Sequence, residues 1–180
     1  FVAFSSMSGD IVPGDSNNTG DVFVRDRRQG MTERISVSSS GEQGNGGSGS
    51  GWMTPDGRYV AFSSEATNLV PGDTNAVMDA FIRDRTTGVT ERISLSSSGV
   101  EGNAPSFPMG ISDDGRYVLF YSKASNLVPG VSGELFVRDR TLSTTVLASV
   151  SGAGVPVTDF GMWTAISGNG RYVIFSAYYG

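Results

Sequence analysis

The string VAFSS that starts at Val2 returns at Val60, reappears as VLFYS at Val118 and again as VIFSA at Val173. The spacings are 58, 58 and 55 residues, so one repeat runs the length of the chain. A fixed period of this kind restricts a chain to architectures in which like units stack, because one short unit cannot bury its own apolar face. Within each unit the same pieces keep the same order. VPGD at Val12 and Val70, and VPGV at Val128, precede VFVRDR from Val22, AFIRDR from Ala80 and LFVRDR from Leu135. TERISVSSSG from Thr32 and TERISLSSSG from Thr90 follow, diverged to TTVLASVSG from Thr144. Each unit closes on PDGRY from Pro55, DDGRY from Asp113 or GNGRY from Gly168. The units are 2–59, 60–117 and 118–172, with a surplus strand over 173–180, and residues 1–180 make a single segment.

Val, Ile, Phe, Tyr and Thr dominate runs of five to seven residues bounded by Gly, Asp, Asn and Ser, which predicts strands rather than helices. Four strands fit each unit: one ending near Met53, Ile111 or Ile166, then RYVAFSS, VFVRDR and TERISVS with their counterparts. Asp56-Gly57, Asp114-Gly115 and Asn169-Gly170 are favoured centres of two-residue hairpin turns. Short links at Gln29-Gly30 and Thr87-Gly88 predict a second hairpin, so one unit is one antiparallel sheet. Val60, Ala61, Phe62 and Ala80, Phe81, Ile82 are apolar at consecutive positions instead of alternating, which requires both sheet faces to be buried. A four-stranded sheet covered on both sides by copies of itself is a propeller blade. The expected fold class is all-β, a β-propeller of about three four-stranded antiparallel blades.

A closed ring needs about four to eight blades. The chain is therefore expected to be a partial propeller with further blades in the same polypeptide, or a half-ring completed by a second copy. Its opening at Phe1, inside a strand pattern, points to a piece of a longer protein. The run TPDGRYVAFSS, followed by a strand of the form FVRD, resembles the TolB-type, WD-like β-propeller repeat of bacterial proteins, and the resemblance covers essentially the whole chain. It implies an extracytoplasmic address (periplasmic, cell-surface or secreted). It also implies a non-enzymatic binding or scaffold role, with a protein or glycan held on one rim. Such repeats are similar too to the gating propellers of prolyl-oligopeptidase-type peptidases, in which case the active site lies outside this chain.

Composition narrows the chemistry. There is no Cys and no His, which removes disulfides, thiol nucleophiles, the usual general base and the commonest zinc ligand. No G-x-S-x-G elbow is present, and the paired acids Asp113 and Asp114 fall in a hairpin turn, so no catalytic residue is expected. A net charge of -5 argues against nucleic acid as a partner. No run approaches the roughly 18 apolar residues of a membrane-spanning helix.

Two features remain as candidate sites. Strand order places the long links, 64–78 within a unit and 41–51, 99–110 and 152–161 between units, on one rim, and Trp52, Phe107, Phe160 and Trp163 lie in or beside them without repeat symmetry. Aromatic side chains on a loop-rich rim suggest a ligand surface, or else they plug gaps between blades. Asp15, Asn17 and Asp21 correspond to Asp73, Asn75 and Asp79, hard oxygen donors at positions 1, 3 and 7 of a loop, a set that suits Ca²⁺. The same residues equally suit Asx and type II turns that stiffen the loop without metal. The third unit has Val131, Ser132 and Gly133 there and lacks the set. The arginines of the RDR strings repeat in every unit and are expected to bind carbonyls and carboxylates between blades.

Overall fold

A computed structural model describes residues 1–157 and 160–177, apart from the side chains of Ser50, Phe160 and Met162. The strands among them fall into four antiparallel sheets that follow chain order. The first contains β1 (Val2–Ser6), β2 (Asp21–Asp26) and β3 (Met31–Arg34). The second contains β4 (Ser48–Met53), β5 (Tyr59–Ser64), β6 (Asp79–Asp84) and β7 (Val89–Arg92). The third contains β8 (Ser106–Ile111), β9 (Tyr117–Ser122), β10 (Glu134–Asp139) and β11 (Thr144–Leu147), and the fourth pairs β12 (Phe160–Ile166) with β13 (Val173–Ala177).

Consecutive apolar residues in the second strand of a blade serve opposite neighbours. Val60 and Phe62 join Phe81 in a buried cluster with Val22, Val24 and Ile35 of the preceding sheet. Ala61 joins Ala80, Ile82 and Ile93 in a second cluster with Val118, Phe120 and Phe136 of the following sheet. Burial of both faces thus replaces the alternation of a half-wet strand, and each large side chain so covered contributes about 1.5–3 kcal/mol. The pleat places Phe62 opposite Phe81 and Phe120 opposite Phe136, with ring centroids 5.7 and 5.6 Å apart. These paired rings form the bulky side of a blade, and Ala61 and Ala80 help form the shallow side that receives the next pair. β8 packs against β4, β5 and β6 on one side and against β12 on the other, so the first strands converge across the boundaries. Antiparallel sheets stacked face to face and converging on their first strands are the blades of a β-propeller. Where no neighbouring sheet covers them the same positions are open: Val2 and Ile174 are 44% and 68% exposed, against 0% for Val60 and Leu119.

The blades are bolted together by polar groups at fixed places. Arg83 Nη1 donates to the carbonyl oxygens of Val37 and Ser38, and Arg138 Nη1 donates to that of Ser96. Arg140 makes two bonds to Glu91 of the preceding blade, at 3.0 and 2.9 Å, and Arg85 makes one, from Nε, to Glu33 of the blade before it. The Ser-rich strings cap the edge of the next blade's fourth strand: Thr90 N donates to Ser39 Oγ at 3.0 Å, and Thr145 N to Ser97 Oγ at 2.9 Å.

Local geometry departs from the sequence expectation in three places. The β4–β5 turn is not a two-residue primed turn. Gly57 N donates to the Thr54 carbonyl, and among turn residues 54–58 only Gly57 has a positive φ, 76°. This is a type I turn with Pro55 at its second position and a left-handed Gly after it. The fourth strands cover only four residues. Beyond them Ile35 and Ile93 leave the ladder but still donate their N–H to the carbonyls of Val22 and Ala80. The first strands start earlier than the Gly-rich composition suggests, at Ser48 and Ser106, so the links between blades run over 35–47 and 93–105. Glycine is needed at the end of the first link because a Cβ on Gly46 would stand 2.7 Å from the Glu65 carbonyl carbon.

Candidate functional site

The Asp and Asn residues considered for calcium do come together, around an arginine. In the first blade Arg34 lies 3.2 Å from Asp15 and 3.3 Å from Asp21. Gln43 Nε2 donates to both carboxylates, at 2.8 and 3.0 Å, and Ser36 Oγ donates to Asp21 at 2.5 Å. Asn17 turns its amide N–H to Asp21 and to the Gly44 carbonyl, and its oxygen accepts from Thr19 N. The second blade repeats the arrangement. Arg92 lies 3.4 Å from Asp73 and 3.6 Å from Asp79 and also pairs with Glu101, while Asn75 donates to Asp79 at 2.9 Å and to Gly102 at 2.8 Å. A guanidinium thus stands among the oxygen donors that the sequence offered either to Ca²⁺ or to turns that stiffen the loop. Among the described residues no group of three or more acidic, His or Cys side chains is arranged to hold a metal ion. The third blade loses the arginine and the acid of the loop together but keeps one carboxylate: Leu147 stands at the arginine position, Pro156 at that of Gln43 and Glu101, and Glu134 takes the place of Asp21 and Asp79, bonded to Ser149.

The two boxes differ in charge. Gln43 leaves the first with two acids per arginine, and Glu101 gives the second three. Burial pushes Asp79 and Asp73 above the usual carboxylate value, and the neighbouring acids push Asp73 further the same way. Asp73 Oδ1 is buried without a hydrogen-bond partner.

The rim aromatics separate. Trp52 lies in β4 opposite Ala61, Phe107 in β8 opposite Tyr121, and Phe160 and Trp163 in β12. All four therefore sit on first strands, which converge between blades, and not in the connecting loops. Trp163 is 86% exposed and Trp52 45%, and the Phe160 side chain lies outside the described residues. Among the described side chains, Phe107 lines a groove on the rim that carries the long links, and Trp52 and Trp163 do not. That groove, about 520 Å³, is bounded by Ser5, Ser6 and Met7 at the end of β1, by Gly47, Ser48 and Gly49 at the start of β4, and by Glu65, Met78 and Phe107. Its walls are fixed by bonds between blades, with Ser48 N donating to the Gly20 carbonyl at 2.7 Å and Ser106 N to that of Met78 at 2.8 Å. Met7 and Met78 precede β2 and β6 in links that the repeat pattern marked only as loops, so no sequence signal singled them out.

No family model and no curated protein matches the chain. It is similar to the solved structure of TolB from Acinetobacter baumannii, at 16% identity over 91% of this chain and 33% of that one, with a TM-score of 0.48. A putative TolB from Agrobacterium tumefaciens is similar at 18% identity over 73% of this chain and 42% of that one, with a TM-score of 0.46. The tricorn protease is similar at 20% identity, 78% and 12% coverage and a TM-score of 0.48. The chain spans about a third of the length of the first of these.

Proposed function

We propose that this is a non-catalytic binding propeller, from the extracytoplasmic side of a bacterial cell, that holds a protein segment or a glycan in the groove on its long-link rim. The carrying observation is the make-up of that groove. Two methionines and a phenylalanine give it a deformable apolar surface, serine hydroxyls and glycine backbone give it hydrogen-bonding capacity, and Glu65 is the one ionisable side chain among its described lining residues. General acid–base or nucleophilic chemistry calls for a second titratable group beside the first. Recognition does not.

Arrays of immobilised peptides and glycans, probed with the wild-type chain and with Met7→Asp, test the reading. Met7 is 81% exposed, so the change leaves the core untouched. The expected result is one ligand class bound by the wild type and lost in Met7→Asp at an unchanged melting temperature. Hits that survive both Met7→Asp and Glu65→Lys would place recognition elsewhere.

A further inference from the structure

We propose that a second groove, on the boundary between the second and third blades, binds a small carboxylate joined to an apolar group, with Arg138 receiving the carboxylate. The groove has a volume of about 600 Å³. Val70, Pro71, Leu95 and Val100 give it an apolar lining, and its charged groups are Glu91, Arg92, Glu101, Arg138 and Arg140. Two of the three arginines are already neutralised. Arg140 makes paired bonds to Glu91, and Arg92 pairs with Glu101 in front of the buried Asp73 and Asp79.

Arg138 is different. It is 7% exposed, and its recorded hydrogen bonds all leave from Nη1, to the Ser96 carbonyl, the Ser143 carbonyl and Thr145 Oγ1 at 3.1, 3.0 and 3.1 Å. The carboxylates nearest in sequence and space are engaged elsewhere, Asp139 by Arg116 and Glu91 by Arg140. A buried guanidinium satisfied on one nitrogen by neutral oxygens is held in place yet makes no direct ion pair among the described residues, Asp139 and Glu91 reaching it only through longer-range attraction that offsets part of the lowering of its pKa by burial. A ligand carboxylate supplies the missing partner in the two-pronged geometry a guanidinium favours. The neighbouring glutamates disfavour a more highly charged anion such as phosphate, and the aliphatic lining calls for an apolar group beside the carboxylate. A peptide C-terminus with an aliphatic last residue and a free branched-chain acid share this chemistry.

Titration calorimetry and methyl NMR with three probes test the proposal: acetyl-Leu-Leu as the free acid, the same dipeptide as its amide, and 4-methylpentanoate. The free dipeptide acid should bind with shifts at Val100 and Leu95, and the amide at least about tenfold more weakly. Equal binding by 4-methylpentanoate assigns the site to free acids, and preference for the dipeptide assigns it to C-termini. Because Arg138 also ties the blades together, the informative variant is Val100→Glu, at a half-exposed position, with Arg138→Lys as the second. Val100→Glu should abolish binding of the acids while the melting temperature holds. Equal binding of acid and amide, undiminished binding to Val100→Glu, or no saturable binding at millimolar probe would overturn the proposal.

Discussion

The ring of Tyr59 lies against Gly115, the left-handed glycine of the next blade's hairpin turn, so closely that a Cβ on Gly115 would overlap the ring carbon Cδ2. Arg140 of that next blade completes the contact, with its guanidinium 5.1 Å from the ring centroid. The relationship recurs: Phe1 lies against Gly57 beneath Arg85, and Tyr117 against Gly170. The aromatic residue that follows each turn therefore locks its blade to the turn of the following one.

Gly115→Ala should cost about 2 kcal/mol or more, because it adds strain at a φ of 71° to the loss of the ring contact. Gly99→Ala shares the positive φ, at 82°, but has open space around its Cβ, and should cost about 1 kcal/mol. Urea titrations of the two variants measure the difference. Equal losses would mean that Tyr59 does not lock the blades.

Replacing Arg92 with Met leaves the buried carboxylates of Asp73 and Asp79, and the half-buried one of Glu101, without a cation and should cost about 3–5 kcal/mol at pH 7. Glu101→Gln copies the first blade and offers an amide N–H to the unpartnered Asp73 Oδ1. It should be neutral or stabilising by about 1 kcal/mol. Millimolar Ca²⁺ should leave the wild-type melting temperature unchanged, since Arg34 and Arg92 already stand among the carboxylates where the ion would sit. A clear rise with Ca²⁺, reversed by EDTA, would return those loops to a metal role.

Stability should fall in acid. Two bonds from Arg58 hold Asp84 well below the ordinary aspartate value of 3.8, and two from Arg116 lower Asp139 likewise. A carboxylate whose folded pKa lies below its unfolded one adds stability that is complete above 3.8 and disappears as the pH drops through the folded value. Asp56 and Asp114, bonded to Thr54 and Ser112, act in the same direction. Asp73 and Asp79 are shifted upward, so their protonation relieves a burial cost and opposes the loss, but they are fewer. The melting temperature should thus drop as the pH is lowered from about 5 to below 3.8, by about 2–4 °C for each kcal/mol lost. Asp84→Asn should flatten the decline. A melting temperature that rises toward acid pH would show that the buried box dominates.

The middle strands of each blade were legible because Val60-Ala61-Phe62 and Ala80-Phe81-Ile82 carry their two-faced burial in consecutive apolar letters. The first strands were less so. SGSGWM reads as loop by composition, yet it is pleated, because adjacent blades meet there and Gly51 approaches Val22 and Ala3. That misplacement put Phe107 and Phe160 inside the links when they stand on strands. The calcium pattern left its two readings open for a related reason: three oxygen-bearing residues at loop spacing suit a cation or a stiffened turn alike, and the arginine that stands among them, Arg34 or Arg92, comes from the neighbouring strand. The replacement of that arginine by Leu147 in the unit whose loop carries Val131, Ser132 and Gly133 in place of the donors was the available clue. Met7 and Met78 left no such trace, since a groove arises only from how blades meet, whereas Arg138 was legible as an RDR arginine that binds a carbonyl of the preceding blade.

Methyl and aromatic NOEs across one blade boundary examine the stacking most directly, in a sample labelled at Ile, Val, Ala and Phe. Close contacts linking Ala61, Ile82 and Ile93 to Val118 and Phe120, together with contacts from Val60 and Phe62 to Val22 and Val24, are the predicted result. Contacts from only one of these two sets, with the other side of β5 exchanging its amide protons quickly with solvent, would contradict a sheet buried on both faces.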